Sequence, residues 1–353
     1  MAEVAVAMSG GVDSSVAAAL LVDAGRDAIG VTLSLGLDAF PSATGRDEEA
    51  VVLAQRVCAE LGIPHVVIEA APEFAGRVVD PFCEAYASGL TPNPCIWCNE
   101  HVKLGFLADR VKRLGVHALA TGHYARVSRD ADDVWLERAA DRSKDQSYFL
   151  YRVSPEVLAR AEFPLGALLK SDVRRIAEER GLPAASRKES QEVCFADDHV
   201  PLVGARYPAS LMPGPIEDAD GTALGTHRGI ARYTVGQRRG LGIGGPEGPY
   251  RVSAIDAARS TLVVAPVERC RQASVLLEDP VWRLGAHERV AAQVRYRSQP
   301  VAATATPAGG YLEVVFAEPV EVLAPGQSVV LYQEDRVVGG GYVPRPGPSH
   351  VSY

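Results

Sequence analysis

Ser9-Gly10-Gly11-Val12-Asp13-Ser14-Ser15 stands close to the N-terminus, behind the apolar run Val4-Ala5-Val6-Ala7 and ahead of the alanine-rich stretch Val16 to Val22. The run suits a buried strand and the stretch a helix, so the local order is strand, glycine loop, helix. Two glycines let the backbone turn tightly and bring its N–H groups close to a ligand. Ser14 and Ser15 stand where a helix start offers unpaired donors and the positive end of its dipole. This is an anion cradle, and phosphate is the anion it suits best.

The Walker loop has a longer spacing and a lysine before its Ser/Thr, neither of which is present, and a Rossmann fingerprint is also absent. Ser-Gly-Gly-x-Asp-Ser-Ser instead resembles the pyrophosphate (PP) loop of the N-type ATP pyrophosphatases, which cleave ATP between the α and β phosphates to adenylate an acceptor. The surrounding pattern agrees with an α/β fold. Asp27 to Leu33, His65 to Glu69 and Ala118 to Thr121 are predicted strands, and Arg46 to Leu61 and Ile96 to Leu114 predicted helices. Such alternation makes a doubly wound parallel sheet, whose ligands collect at the carboxyl ends of its strands. Leu33 at one such end is placed to line an adenine pocket, and Gly122 at another to let backbone approach the nucleotide.

A chain of 353 residues exceeds one typical core and suggests two or three domains, and 47% hydrophobic with 23% charged residues is an ordinary globular composition. No leader pattern precedes the first strand and no apolar run approaches the span of a bilayer, so a cytoplasmic protein without a membrane partner is expected. Six cysteines are too few and too irregular for a disulfide framework, which leaves thiol chemistry or metal binding. A net charge of −8 argues against non-specific nucleic-acid binding, although a folded surface can still gather its cations locally.

Beyond strand three, Gly89-Leu90-Thr91-Pro92-Asn93-Pro94 delivers Cys95 and Cys98 near a helix start, where the dipole is expected to lower a thiol pKa. Cys-x-x-Cys alone fits a redox pair, a metal half-site or chance; with half its ligands missing, a structural zinc site is discounted. Asp141 to Arg152 interleaves cations, amides and aromatics, a mixture suited to phosphate contact and base stacking, though also to a solvated loop entering a helix. Helical patterns follow at Pro155 to Ala161 and Lys170 to Arg180, and Cys194 then lies in a polar, loop-like surround. Cys58 and Cys83 fall in helical patterns as packing residues, and Cys270 has no evident partner.

After about residue 205 the chain turns to glycine, proline and short strands. His227 to Gly240 carries Arg228, Arg232, Arg238 and Arg239 without an acidic residue, a plausible phosphate-contacting stripe. Strands between Val275 and Val343, including Arg289 to Arg297 and Tyr311 to Phe316, suggest a small β-barrel, followed by a mobile proline-rich tail. The expected domains are a PP-loop catalytic domain over 1–204, a small β-rich central domain over 205–270 and a C-terminal β-barrel domain over 271–353.

Taken with the PP-loop, Thr91-Pro92-Asn93-Pro94 with Cys98-Asn99, Thr121-Gly122-His123-Tyr124, Lys144-Asp145-Gln146-Ser147-Tyr148 and Gln191-Glu192-Val193-Cys194-Phe195 resemble the bacterial tRNA-specific 2-thiouridylases. Tyr233-Thr234-Val235-Gly236-Gln237-Arg238, Arg295-Tyr296-Arg297 and Pro325-Gly326-Gln327-Ser328 extend the likeness over nearly the whole chain. The resemblance implies an ATP-dependent enzyme that replaces the C2 oxygen of the wobble uridine in glutamate, lysine and glutamine tRNAs with sulfur. It implies ATP binding by Ala7, Met8, Ser9, Gly10, Gly11, Val12, Asp13, Ser14, Leu33 and Gly122, and target-base contact by Asn93, Pro94 and Cys95. Contact with tRNA is implied for His123, Lys144, Asp145, Gln146, Arg295, Tyr296 and Gln327.

Adenylation turns the C2 oxygen into a leaving group, and Asp13 is a candidate for orienting the Mg²⁺ that neutralises the phosphates. The target base has to leave the anticodon stack, and a stiff Pro-Asn-Pro segment suits holding it. In the family's usual account the residue matching Cys194 carries a persulfide from a donor protein, and the one matching Cys98 frees the sulfur, leaving a disulfide between them. Many members carry an aspartate where this chain has Cys95. That substitution removes an acid/base group and creates a trio, Cys95, Cys98 and Cys194, able to hold a [4Fe–4S] cluster with one iron open for hydrosulfide. Two other readings stand beside this one: another PP-loop ligase adenylating a different acceptor, whose reaction needs no cysteine, and a catalytically silent tRNA-binding protein.

Overall fold

The computed structural model describes residues 2–40, 43, 45–130, 133–185, 193–244 and 249–345. The chain forms two compact units, one of residues 1–79, 94–197 and 335–337, the other of 80–93, 198–334 and 338–353.

In the first unit, β1 (Val4–Ala7), β2 (Ala28–Ser34), β3 (His65–Glu69), β4 (Ala118–Thr121) and β7 (Ala161–Glu162) make a parallel sheet in the order β3-β2-β1-β4-β7. Val4, Ala5 and Val6 of the central strand are fully buried, which is why its sequence is continuously apolar rather than alternating. Helix α1 (Val12–Asp23) leaves the glycine loop and is buried on two sides. Ala18 and Leu21 pack with Val57 and Cys58 of α2 (Arg46–Glu60), whereas Val16, Ala17 and Ala19 pack with Leu165, Val173 and Ala177. Val173 and Ala177 belong to α3 (Lys170–Glu179). Alanines let α1 lie close to both partners. Strand order reverses at β1, so the crevice outside β1 and β4 is the topological switch point where such sheets bind ligands.

An antiparallel hairpin of β5 (Ala125–Arg129) and β6 (Val134–Arg138), absent from the sequence expectations, completes this unit, with Glu137 paired to Arg336. The helix expected over 96–114 is a short α-turn at Pro94–Trp97, a π-helix at Cys98–Phe106 and an α-helix at Leu107–Arg113. Gly105 makes the wide turn possible, because a Cβ there would stand 2.6 Å from the Glu100 carbonyl. The helical pattern at 155–161 stops at Leu158, and Ala161 enters the sheet beside Leu119.

The second unit carries a four-stranded sheet, in the order β10-β11-β8-β9, of β8 (Gly214–Glu217), β9 (Ala223–His227), β10 (Tyr250–Asp256) and β11 (Thr261–Pro266). A larger antiparallel sheet follows, of β12 (Arg271–Trp282), β13 (Glu288–Gln293), β14 (Val301–Ala308), β15 (Tyr311–Glu321), β16 (Ser328–Gln333) and β17 (Arg336–Tyr342). Pairing of Glu278 with Tyr342 and of Trp282 with Gly339 closes it into a barrel. The strand expected over 289–297 ends at Gln293; Arg295 and Tyr296 stand in a turn that Arg297 completes at φ 67°. The tail from residue 346, and Gln191 and Glu192 of the Cys194 motif, lie outside the described residues.

Candidate active site

The PP-loop is built by its own serines. Gly10 takes φ 68°, a left-handed turn that suits glycine. The Ser14 hydroxyl donates to the Gly11 carbonyl at 3.0 Å and accepts from the Ser9 N–H at 3.2 Å, while the Ser15 hydroxyl donates to the same carbonyl at 2.9 Å. Met8, Val12 and Ser14 are buried, Ala7 and Gly11 half-buried, and Ser9 is exposed at the mouth. Gly122, on the loop after β4, lies directly against this loop: a Cβ there would stand 2.7 Å from the Ser14 nitrogen and 2.8 Å from the Asp13 carbonyl carbon. Its want of a side chain therefore serves the packing of two backbones. Leu33 is half-buried near the end of β2.

Asp13 is not free to take a metal. Lys170 Nζ donates to both of its carboxylate oxygens, at 2.6 and 2.8 Å, and the Tyr124 hydroxyl donates to Oδ1 at 2.8 Å. The carboxylate expected to orient Mg²⁺ is instead neutralised by an ammonium, and the residues present do not make a Mg²⁺ seat at Asp13. Lys170 is 7% exposed and opens α3, where a cation opposes the helix dipole. That misplaced charge was the available sign that it had a partner. Because the Asp13 side chain is about a third exposed, breaking this pair is expected to cost less than the rupture of a fully buried one, about 1–3 kcal/mol. Urea unfolding of Lys170→Met, Asp13→Asn and the double variant measures this: the double variant should be less destabilised than the sum by about 1 kcal/mol or more. Strict additivity would remove the pair's role.

The three thiols form the second cluster. Cys95 lies in the short α-turn, Cys98 opens the π-helix, and Cys194 follows the undescribed residues 186–192. Cys98 is buried, while Cys95 and Cys194 reach solvent from a crowded surround. Protein packed around them raises the pKa of all three, Cys194 to about 12, so the depression expected from a helix start is outweighed by desolvation. Lys103, unnoticed in the sequence, opposes this. Its ammonium acts on Cys95, Cys98 and Cys194 together, and among the described residues it has no carboxylate partner. It lies five residues after Cys98 in the π-helix, whose wider turn brings such positions onto one face. Among the described residues no three His, Cys, Asp or Glu side chains are placed to hold one metal ion. Cys58 and Cys83 are buried in helices with pKa pushed up to about 11, and Cys270 is buried.

Several residues expected at tRNA are committed to the fold. His123 is 8% exposed, its Nδ1 is 2.6 Å from the Thr121 hydroxyl, and burial followed by Lys103 lowers its pKa to about 3. Asp145 accepts from Arg138, from the Ala139 N–H and from Ser147, and Gln146 Oε1 accepts from the Tyr124 N–H. The Asp145 carboxylate and the Gln146 amide oxygen shape the loop from within; Lys144 is half-buried. In the second unit, Gln327 Nε2 donates to the Thr91 carbonyl at 2.7 Å and Thr91 N–H to the Pro325 carbonyl at 2.8 Å, fixing the chain two residues before Asn93. Asn93 is half-buried and Pro94 buried. Arg295 bonds the Val322 carbonyl and Glu321, and Arg297 lies over the Tyr296 ring. Arg228, Arg232, Arg238 and Arg239 are all exposed.

Three family models match in succession: a tRNA methyl transferase HUP domain over residues 2–198, a tRNA methyl transferase PRC-barrel domain over 205–266 and an aminomethyltransferase β-barrel domain over 272–343. The tRNA-specific 2-thiouridylase MnmA of Chloroflexus aurantiacus is 45% identical over 98% of this chain and 99% of its own length. The chain belongs to the tRNA-specific 2-thiouridylase family. The 2-thiouridylase of Geobacter metallireducens is 42% identical over 96% of each chain. Among solved structures, NMN synthetase from Francisella tularensis matches 54% of this chain and 67% of its own at 19% identity, with a TM-score of 0.34. As a 2-thiouridylase the protein is an ATP-using tRNA sulfurtransferase, and tRNA is its substrate. Among the described residues no helix is long and apolar enough to cross a membrane.

Proposed function

We propose that this 2-thiouridylase adenylates the C2 oxygen of the wobble uridine in glutamate, lysine and glutamine tRNAs and delivers sulfur from a persulfide on Cys194. The observation that carries the sulfur route is the Lys103 ammonium, without a carboxylate partner among the described residues, acting on all three thiols. ATP lies with its phosphates on the Ser9–Ser14 loop and its base toward Leu33, and Mg²⁺ comes with the phosphates, since Asp13 is held by Lys170. Asn93, Pro94 and Cys95 face the extruded base, and the exposed arginines 228, 232, 238 and 239 meet tRNA phosphate. The three domains are those expected over 1–204, 205–270 and 271–353.

A donor protein loads Cys194 as Cys194–S–SH. The terminal sulfur attacks C2 and AMP leaves with the former carbonyl oxygen. Cys98 then attacks Cys194 Sγ, breaking the S–S bond so that sulfur stays on the base and a Cys98–Cys194 disulfide forms. A thiol reductant returns both cysteines. Lys103 stabilises the sulfur anions that this sequence creates in a site whose packing disfavours them.

Thiol chemistry suits a [4Fe–4S] cluster on Cys95, Cys98 and Cys194, whose open iron would bind hydrosulfide. Among the described residues no three such side chains are placed to hold a single metal ion, and Lys103 acts electrostatically on all three thiols, which favours the free-thiol route. Iron and acid-labile sulfide in protein isolated without oxygen decide between the routes. Iron-free protein that forms 2-thiouridine is expected. About four irons per chain, lost in Cys95→Ser, would replace the persulfide route with hydrosulfide at a cluster.

A further inference from the structure

Arg46, in the first turn of α2, grips the segment that carries Cys194 with both arms of its guanidinium. Nη1 donates to the Cys194 carbonyl at 3.1 Å and Nη2 to Asp197 Oδ1 at 2.6 Å. A planar fork fixes two points three residues apart, which an ammonium does not. Between those points Phe195 is 2% exposed, packed edge-on to Phe74 at 5.7 Å and tilted against Phe40 at 6.1 Å. The next residue, Asp47, faces another way. It accepts from the Ser34 hydroxyl and from the N–H groups of Leu35, Gly36 and Leu37, so the same helix turn is tied to the carboxyl end of β2. The Arg46–Asp197 pair is too exposed, at 32% and 60%, to matter much for stability. The carbonyl bond sets backbone orientation at the one cysteine whose sulfur has to travel.

We propose that Arg46 is a positioning residue for Cys194, holding its backbone so that the sulfur is presented to the acceptor in one orientation. This rests on the reading of Cys194 as sulfur carrier. Misorientation of a reacting group is costly even when folding is unaffected, so single-turnover sulfur transfer should fall about tenfold or more in Arg46→Met. Single-turnover pyrophosphate release and the KM for tRNA should be unchanged, and Arg46→Lys should regain only part of the rate. Asp197→Asn keeps the carbonyl bond and should lose no more than about threefold; if Arg46→Met fails to fold, Arg46→Lys decides the matter, since an unchanged transfer rate in it would then overturn the role. A wild-type transfer rate in folded Arg46→Met, or equal loss of pyrophosphate release and transfer, would overturn it as well. An active Cys194→Ser variant would instead sink the carrier reading itself, whatever the Arg46 variants do.

Discussion

Cys194→Ser and Cys98→Ser are each expected to bring 2-thiouridine formation down by at least about a thousandfold while tRNA-dependent release of pyrophosphate, which precedes sulfur transfer, continues. The separation follows from the layout of the first unit. The phosphate loop is held by Ser9, Ser14, Ser15 and Gly122, none of which depends on a thiol, whereas Cys98 and Cys194 are coupled to each other and to Lys103. On the persulfide reading, losing Cys194 removes the sulfur carrier and losing Cys98 removes its release, and neither change touches the adenylation that precedes them. The thiols should also show their surroundings directly. With Cys194 raised to about 12, chiefly by desolvation, its thiolate fraction at neutral pH is very small. Alkylation of Cys194, followed by peptide mass, should therefore climb about tenfold per pH unit across the range from about 7 to 9 without a plateau. The same sign applies to folding: a thiol whose folded pKa lies above its unfolded value contributes stability below the unfolded pKa of 9.0, and loses it as pH rises toward 12. A plateau near neutral pH would mean that Lys103 prevails over desolvation, and a fully active Cys194→Ser variant would end the persulfide route.

Much of the catalytic fold was legible because its signals are local. A four-residue apolar run before Ser-Gly-Gly-x-Asp-Ser-Ser can be little else than a buried central strand feeding a helix start, and β3 was bounded correctly at His65 and Glu69 by the apolar run itself. What stayed hidden depends on partners distant in sequence. Lys170 lies 157 residues from Asp13, and nothing near either residue announces that the carboxylate is occupied. Arg46 and Cys194 are 148 residues apart. Lys103 was hidden for another reason: α-helical spacing puts it off the Cys98 face, and only the π-helix brings it round. The Lys144–Gln146 segment has the composition of a ligand-binding loop, yet an Asp145 carboxylate oxygen and the Gln146 amide oxygen accept from the backbone N–H groups of Ala139 and Tyr124, which composition cannot distinguish from ligand contact.

Gly122→Ala tests the meeting of the two loops and should be the most damaging single-methyl change in the nucleotide site. The added Cβ would stand 2.7 Å from the Ser14 nitrogen, 2.8 Å from the Asp13 carbonyl carbon and 3.1 Å from its oxygen, all backbone atoms that no rotamer change can move. Neither loop has an easy retreat. The parallel register Ala7↔Thr121 fixes the strand end beneath each, and Asp13 is further held by Lys170 and Tyr124. Relief has to come from the phosphate loop itself, and a displacement approaching 1 Å there is the kind that costs about a hundredfold in rate. Overpacking should add only about 1–3 kcal/mol of destabilisation, so the variant remains folded. AMP release should therefore fall about a hundredfold while Cys194 still accepts sulfur from a polysulfide donor, the reverse of the thiol variants. If Gly122→Ala adenylates tRNA at the wild-type rate, the loop has slack that the strand register does not permit, and the phosphates are bound elsewhere than on Ser9–Ser14.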